Sequence, residues 1–163
     1  MKYHHMAVYV RDMDEALKLY RDLLGFTPLW DSVVPNEQII GQELLDAIFH
    51  TKNAKIRNVL AASPEGQKLE LLQPIAPPMR RTPRENLGYP NTGIMELGLE
   101  VTDIDSWFEK IKSAGYEPLT DYVWEIPGFI RSFLFLDADG NAIQLVEETG
   151  EVPDVETSSA ATA

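Results

Sequence analysis

The chain states one structural pattern twice, about 90 residues apart. His5-Met-Ala-Val-Tyr-Val-Arg-Asp-Met-Asp, with a helical run to Gly25-Phe26, returns as Glu96-Leu-Gly-Leu-Glu-Val-Thr-Asp-Ile-Asp, with a helical run to Gly115-Tyr116. The ends of the copies also match, Lys68-Leu-Glu-Leu-Leu against Ala142-Ile-Gln-Leu-Val. A repeat near half the chain length makes two similar modules. A polar residue recurs at equivalent strand positions of both copies, which predicts a site between the modules.

Within each copy, hydrophobic periodicity sets the elements. Residues 4–10 alternate, with Met6, Val8 and Val10 opposite His5, Ala7 and Tyr9, as in a strand with one buried face. Asp12 then caps a helix, with Glu15 as its capping-box partner, and Ala16, Leu19, Tyr20, Leu23 and Leu24 follow at helical spacing up to Gly25. In the second copy Leu97, Leu99 and Val101 oppose Glu96, Gly98 and Glu100; Asp103 caps; Trp107, Phe108 and Ile111 form the stripe; Gly115 stops it. Strands are expected at about 27–34, 45–51, 56–62 and 67–73 in the first copy, and at about 117–124, 130–136 and 141–147 in the second. Asp139-Gly140 signals a hairpin turn. Asp137-Ala-Asp-Gly-Asn resembles the start of a calcium loop but lacks the downstream glutamate, and reads as a turn.

The expected organisation is a first βαβββ module over 1–74, a Pro-rich linker over 75–92, a second module over 93–148 and a disordered acidic tail over 149–163. Arg80, Arg81 and Arg84 of the linker stand out in an acidic chain, as a solvated connection or as an arm over a site or partner. With 26 Asp and Glu against 14 Lys and Arg, the net charge of −12 makes nucleic acid and anionic membranes poor partners. No apolar run approaches the roughly 18 residues of a spanning helix. Cysteine is absent, which excludes disulfides and fits a reducing cytoplasm.

The doubled pattern, opened by His-x-Ala-x-Tyr-Val-x-Asp and closed by Asp-x-Asp-Gly-Asn-x-x-Gln-Leu, resembles the vicinal oxygen chelate superfamily. That superfamily holds glyoxalase I, methylmalonyl-CoA epimerase, extradiol dioxygenases and bleomycin-resistance proteins. Leu23-Leu24-Gly25-Phe26 and the 137–141 turn are the most specific local matches, within a likeness over residues 3–148. The resemblance implies an α+β fold: two paired βαβββ modules forming a curved mixed sheet around a concave cleft. It also implies a divalent ion held from the first and last strands of each module, which here are His5, Glu70, Glu96 and Gln144.

Strand parity agrees with that set. Each of the four sits opposite an apolar pair of its strand (Met6 and Val8, Leu69 and Leu71, Leu97 and Leu99, Ile143 and Leu145) and so projects from the non-core face, with small Ala7 and Gly98 leaving room beside them. One nitrogen, two carboxylates and an amide oxygen suit Mn²⁺, Fe²⁺, Co²⁺, Ni²⁺ or Zn²⁺. The set departs from the usual pattern of the superfamily, which carries histidine where Glu96 stands and glutamate where Gln144 stands. Gln144 cannot accept a proton, so either Glu70 or Glu96 is the expected base. Such a site implies a lyase or isomerase resembling glyoxalase I, abstracting a proton next to a carbonyl of a small molecule chelated through adjacent oxygens.

Two alternatives stand beside it. One is a metal-free protein that sequesters a small molecule, as bleomycin-resistance members do. The other is an Fe²⁺ ring-cleaving dioxygenase, disfavoured because His4 as strand neighbour of His5 is expected on the opposite face. Candidate substrate contacts are His50, Arg57, Trp124, Phe129, Arg131 and Phe133. The resemblance also implies a homodimer.

Overall fold

The computed structural model describes residues 1–151. Its chain divides into two compact units: Met1–Asn91 with Asp137–Asn141, and Thr92–Leu136 with the described residues from Ala142 to 151. The fold is α+β, and each unit carries one four-stranded mixed sheet.

In the first unit β1 (His5–Tyr9), β2 (Thr27–Val34), β3 (Lys55–Ala62) and β4 (Lys68–Ala76) are ordered β1-β4-β3-β2. β1 runs parallel to β4, with Ala7 beside Glu70; β3 pairs antiparallel with both β4 and β2. Between β1 and β2 lies α1 (Met13–Leu17), which widens into a π-helix over Lys18–Leu23. The Leu24 N–H reaches back five residues to the Leu19 carbonyl. Asp12 caps α1 by accepting from the backbone N–H of Asp14 and Glu15. The expected return bond from Glu15 is replaced by an ion pair with Lys18. Met13, Leu17 and Tyr20 bury their side chains, as do Val59, Leu69 and Leu71 of the sheet. Each such apolar side chain stabilises the fold by about 1.5–3 kcal/mol.

Residues 45–51 are not a strand. They fall largely within α2 (Gln42–Phe49), where Leu45, Ile48 and Phe49 share a face at helical spacing. Leu45 packs in a cluster with Val34, Ala54, Ile56 and Leu72, joined by Ile40 and Phe49. Asp46 fastens the helix to the turn that follows, accepting from Gln42 Nε2 (2.7 Å), Asn53 N (2.9 Å) and Ala54 N (2.8 Å). The Ala54 N–H, helped by those of Asn53 and Gln42, holds the Asp46 carboxyl below its ordinary range against the opposing effect of burial. A carboxyl depressed on folding adds stability above its unfolded pKa and loses it as pH falls through the lower folded value. Acid titration followed by amide exchange is therefore expected to open α2 in that window. In Asp46→Asn the same amides should exchange faster already at neutral pH and lose that part of the acid dependence.

The segment Asp137–Asn141 is a turn closed on Asp137, whose Oδ1 accepts from the backbone N–H of Asp139 and Asn141. Asp137 also takes the buried Tyr20 hydroxyl at 2.9 Å, and Arg11 pairs with Asp139. These bonds lie within the first unit.

The second unit repeats the plan. β5 (Glu96–Glu100), β6 (Trp124–Ile126), β7 (Ile130–Leu136) and β8 (Ala142–Glu148) are ordered β5-β8-β7-β6, with β5 parallel to β8. α3 (Ile104–Ser113), capped by Asp103 onto Ser106 N, sets Ile104, Phe108 and Ile111 over Phe133, Phe135, Ile143 and Leu145. The strand expected over 117–124 is irregular chain with one bridge, Pro118 to Phe135, and only Trp124 enters β6. Between the sheets' sequences, β4 runs on to Ala76 and the Pro-rich stretch holds a single 3₁₀ turn, Arg84–Asn86; Arg80, Arg81 and Arg84 are exposed. Thr149, at the head of the expected tail, donates its N–H to the Phe129 carbonyl (2.8 Å). Residues 152–163 of that tail lie outside the described residues.

Candidate functional site

Register places the candidate donors as two equivalent pairs, one in each unit. In the first, His5 opens β1 and Glu70 sits on β4 beside Ala7. In the second, Glu96 opens β5 and Gln144 sits on β8 beside Gly98. Both pairs stand on the sheet face opposite the one that packs against α1 or α3, because Glu70 alternates with buried Leu69 and Leu71, and Gln144 with buried Ile143 and Leu145. The small residue between the strands matters in both. A Cβ added at Gly98 would stand 3.9 Å from Gln144 Oε1.

The first pair is built for a defined geometry. His5 Nε2 is 3.4 Å from Glu70 Oε2, while Asn58 Nδ2, from β3, donates to Glu70 Oε1 at 2.6 Å. Two donors each about 2.1 Å from one ion lie about 3.0–3.4 Å apart in octahedral or tetrahedral coordination. The spacing of His5 and Glu70 fits that range, and imidazole with carboxylate is a fitting donor pair for a first-row divalent ion. Among the described residues no three or more His, Asp or Glu side chains are gathered closely enough to hold a metal.

His4 does not face away from His5. It precedes the strand, so strand parity does not govern it. Its Nδ1 stands 2.7 Å from that of His5, with the ring centres 4.9 Å apart and the ring planes nearly perpendicular.

The remaining candidates are dispersed. His50 is the left-handed C-cap of α2 (φ 48°) and is exposed. Arg57 alternates with Asn58, so it lies on the α1 side of its sheet, where Asp31 grips it through two bonds (3.0 and 2.7 Å) and Asp14 through a third (2.7 Å). Arg131 likewise sits on the α3 side, paired with Asp105 and Glu147. Phe133 is wholly buried there, edge-on to Phe108 with ring centres 5.0 Å apart. As a core residue it corrects the expectation of a substrate contact. Trp124 is half-buried in β6, on the face of Gln144 by register through Ser132 and Val146; Phe129 is half-buried in the β6–β7 turn.

Sequence reasoning missed a cavity wholly within the first unit. About 310 Å³ in volume, it lies between α2 and the sheet face that carries Glu70. Leu45, Ile48 and Phe49 roof it; Trp30, Asn58 and Glu70 are among the residues of its floor. Trp30 Nε1 and Asn58 Oδ1 are buried there without a hydrogen-bond partner in the protein. Alternation of Trp30, Ser32 and Val34 along β2 was the available signal for the floor, but the roof is legible only once 42–49 is taken as a helix.

Comparison with known proteins agrees with this architecture. A glyoxalase family protein from Bacillus cereus superposes with a TM-score of 0.78 at 18% identity, covering 92% of this chain and 95% of that one. TnmS3, an antibiotic binding protein from Streptomyces sp. CB03234, gives 0.59 at 20% identity, covering 91% and 97%. The fosfomycin resistance protein FosX from Listeria monocytogenes, in complex with Mn(II) and 1S,2S-dihydroxypropylphosphonic acid, gives 0.56 at 14% identity, covering 93% and 91%. At these identities the likeness is one of fold. No curated protein matches the chain. The family profile, however, matches residues 2–145, nearly the whole of both repeats that place the donor pairs. The chain belongs to the Glyoxalase/Bleomycin resistance protein/Dioxygenase superfamily.

Proposed function

We propose that this protein is a metal-dependent lyase or isomerase that moves a proton next to a carbonyl of a small molecule with adjacent oxygens. The observation that carries the reading is the His5–Glu70 pair, 3.4 Å apart, with Glu70 held by Asn58. His5 and Glu70 are the proposed preformed donors to one Mn²⁺, Fe²⁺, Co²⁺, Ni²⁺ or Zn²⁺, and Glu96 and Gln144 are proposed to complete its coordination only in the metal-bound protein. When bound, such an ion supplies Lewis acidity toward the substrate oxygens.

The chain's own groups divide the remaining work. Glu70 is tethered at one oxygen by Asn58 and stands near His5 with the other, which suits a fixed ligand. Glu96 carries no such tether among the described residues and is the better proton carrier. Gln144 orients through its amide oxygen and takes no proton. The expected result is solvent deuterium entering the carbon next to the carbonyl in a panel of small α-hydroxycarbonyl compounds, followed by proton NMR. Glu96→Gln should abolish the exchange, and so should a chelator. Exchange that persists in both would overturn the reading.

A second reading is favoured by Gln144, which removes the usual carboxylate from the last strand: a metal-free protein that binds a small molecule without turning it over. Binding indifferent to chelator, with no exchange, is its signature. The proposal includes a homodimer, checked by light scattering on eluted protein, and a cytoplasmic location consistent with a chain devoid of cysteine. Among the described residues no helix is long and apolar enough to cross a membrane.

A further inference from the structure

The cavity beneath α2 has a chemistry of its own. Most of the residues that line it are apolar, and among the described residues that line it Glu70 is the one ionisable side chain. Two floor atoms are unmatched: Trp30 Nε1, a donor, and Asn58 Oδ1, an acceptor. The Asn58 orientation is chemically forced. Its NH₂ donates to the Glu70 carboxylate at 2.6 Å, and turning the amide over would set two oxygens against each other. Its carbonyl oxygen is therefore fixed as an acceptor in search of a donor. A buried polar atom left so destabilises the protein, and a matched ligand recovers that loss as affinity.

We propose that this cavity binds a neutral small molecule with an apolar one- or two-ring body and a hydroxyl group, the hydroxyl accepting from Trp30 Nε1 and donating to Asn58 Oδ1. A hydroxyl supplies both complements in one group. The volume of about 310 Å³ is at the small end of ligand pockets, which limits the body to a ring or two. Glu70 and the net charge of −12 repel an anion, and with Glu70 already engaged by Asn58 and His5 the otherwise apolar lining selects an uncharged body. The inference shares Glu70 with the metal reading but needs no metal.

The test is calorimetric titration with three probes: 2-naphthol, its methyl ether and 2-naphthoate. 2-Naphthol is expected to bind. The ether, which cannot donate to Asn58, should bind about tenfold more weakly, and the anionic naphthoate should give no heat. Trp30→Phe keeps the aromatic wall and removes the N–H; it should weaken 2-naphthol binding about tenfold. Equal affinity for naphthol and ether, wild-type affinity in Trp30→Phe, or no heat from any probe overturns the proposal, the two atoms then being met by water alone. Ile48→Trp covers the case in which Trp30→Phe fails to fold. It narrows the cavity from the helix side and touches neither polar atom, so it should abolish naphthol binding; unchanged binding there is equally fatal. Titrating both chelator-treated and Mn²⁺-loaded protein separates the two readings. Hydroxyl preference in a protein that takes up no ion leaves this inference standing and removes the metal.

Discussion

Glu70→Ala is expected to lower the affinity of the protein for a divalent ion by at least the 10–100-fold that loss of a mere supporting group costs a metal site. Glu70 would be a direct donor, and its removal also releases its neighbours. Asn58 Nδ2 loses its acceptor at 2.6 Å, and His5 Nε2 loses the carboxylate oxygen 3.4 Å away. Both then leave the positions that define the pair. Asn58→Ala isolates the supporting role: the donors remain, but nothing holds the Glu70 oxygen, so a loss within that 10–100-fold range is expected. Calorimetric titration with Mn²⁺ or Zn²⁺ reads both variants, and thermal unfolding separates lost donors from a lost fold. Glu70 stands on a half-exposed strand face, so its truncation opens no core cavity.

Phe133→Ala is expected to cost about 3–5 kcal/mol of stability, the range for deleting a fully buried aromatic side chain. Phe133 is 0% exposed and meets Phe108 edge-on at 5.0 Å, beneath α3. The lost ring leaves a void among Phe108, Phe135 and Leu145, which β-strand backbone cannot close by collapsing. Denaturant unfolding should show the loss, concentrated in the second unit. Ligand affinity of the cavity beneath α2 should be unchanged in protein that remains folded, because every residue lining that cavity belongs to the first unit.

Phe133 also shows how far the sequence could be read. Its strand, Ile130–Leu136, carries one polar residue on each face, Arg131 and Ser132, among five apolar ones, so neither face declares itself; pairing with β8, which sets Phe133 against Leu145, assigns it to the core. The facing of His5, Glu70, Glu96 and Gln144 was legible because each stands opposite an apolar pair, and alternation reports the facing of a strand directly. Arg57 and Arg131 could have been faced the same way. Arg57 lies in phase with buried Val59 and Ala61, and so on the helix side, where its acidic partners Asp14 and Asp31 are far away in sequence. Leu44-Leu45-Asp46-Ala47-Ile48-Phe49 is short enough for strand or helix. The helix wins through Leu45 and Phe49, four apart on one face, and through the Asp46 side chain, which ties the helix to the Asn53 and Ala54 amides. The cavity followed that segment out of sight, since its roof is the helix.

The most direct test of the account is the number of divalent ions taken up by the chelator-stripped wild-type protein, measured with the Glu70→Ala and Glu96→Ala variants in parallel. One ion per chain is expected for the wild type, with markedly weaker uptake in each variant. An uptake of zero in the wild type, or one ion bound equally well by all three proteins, would contradict it.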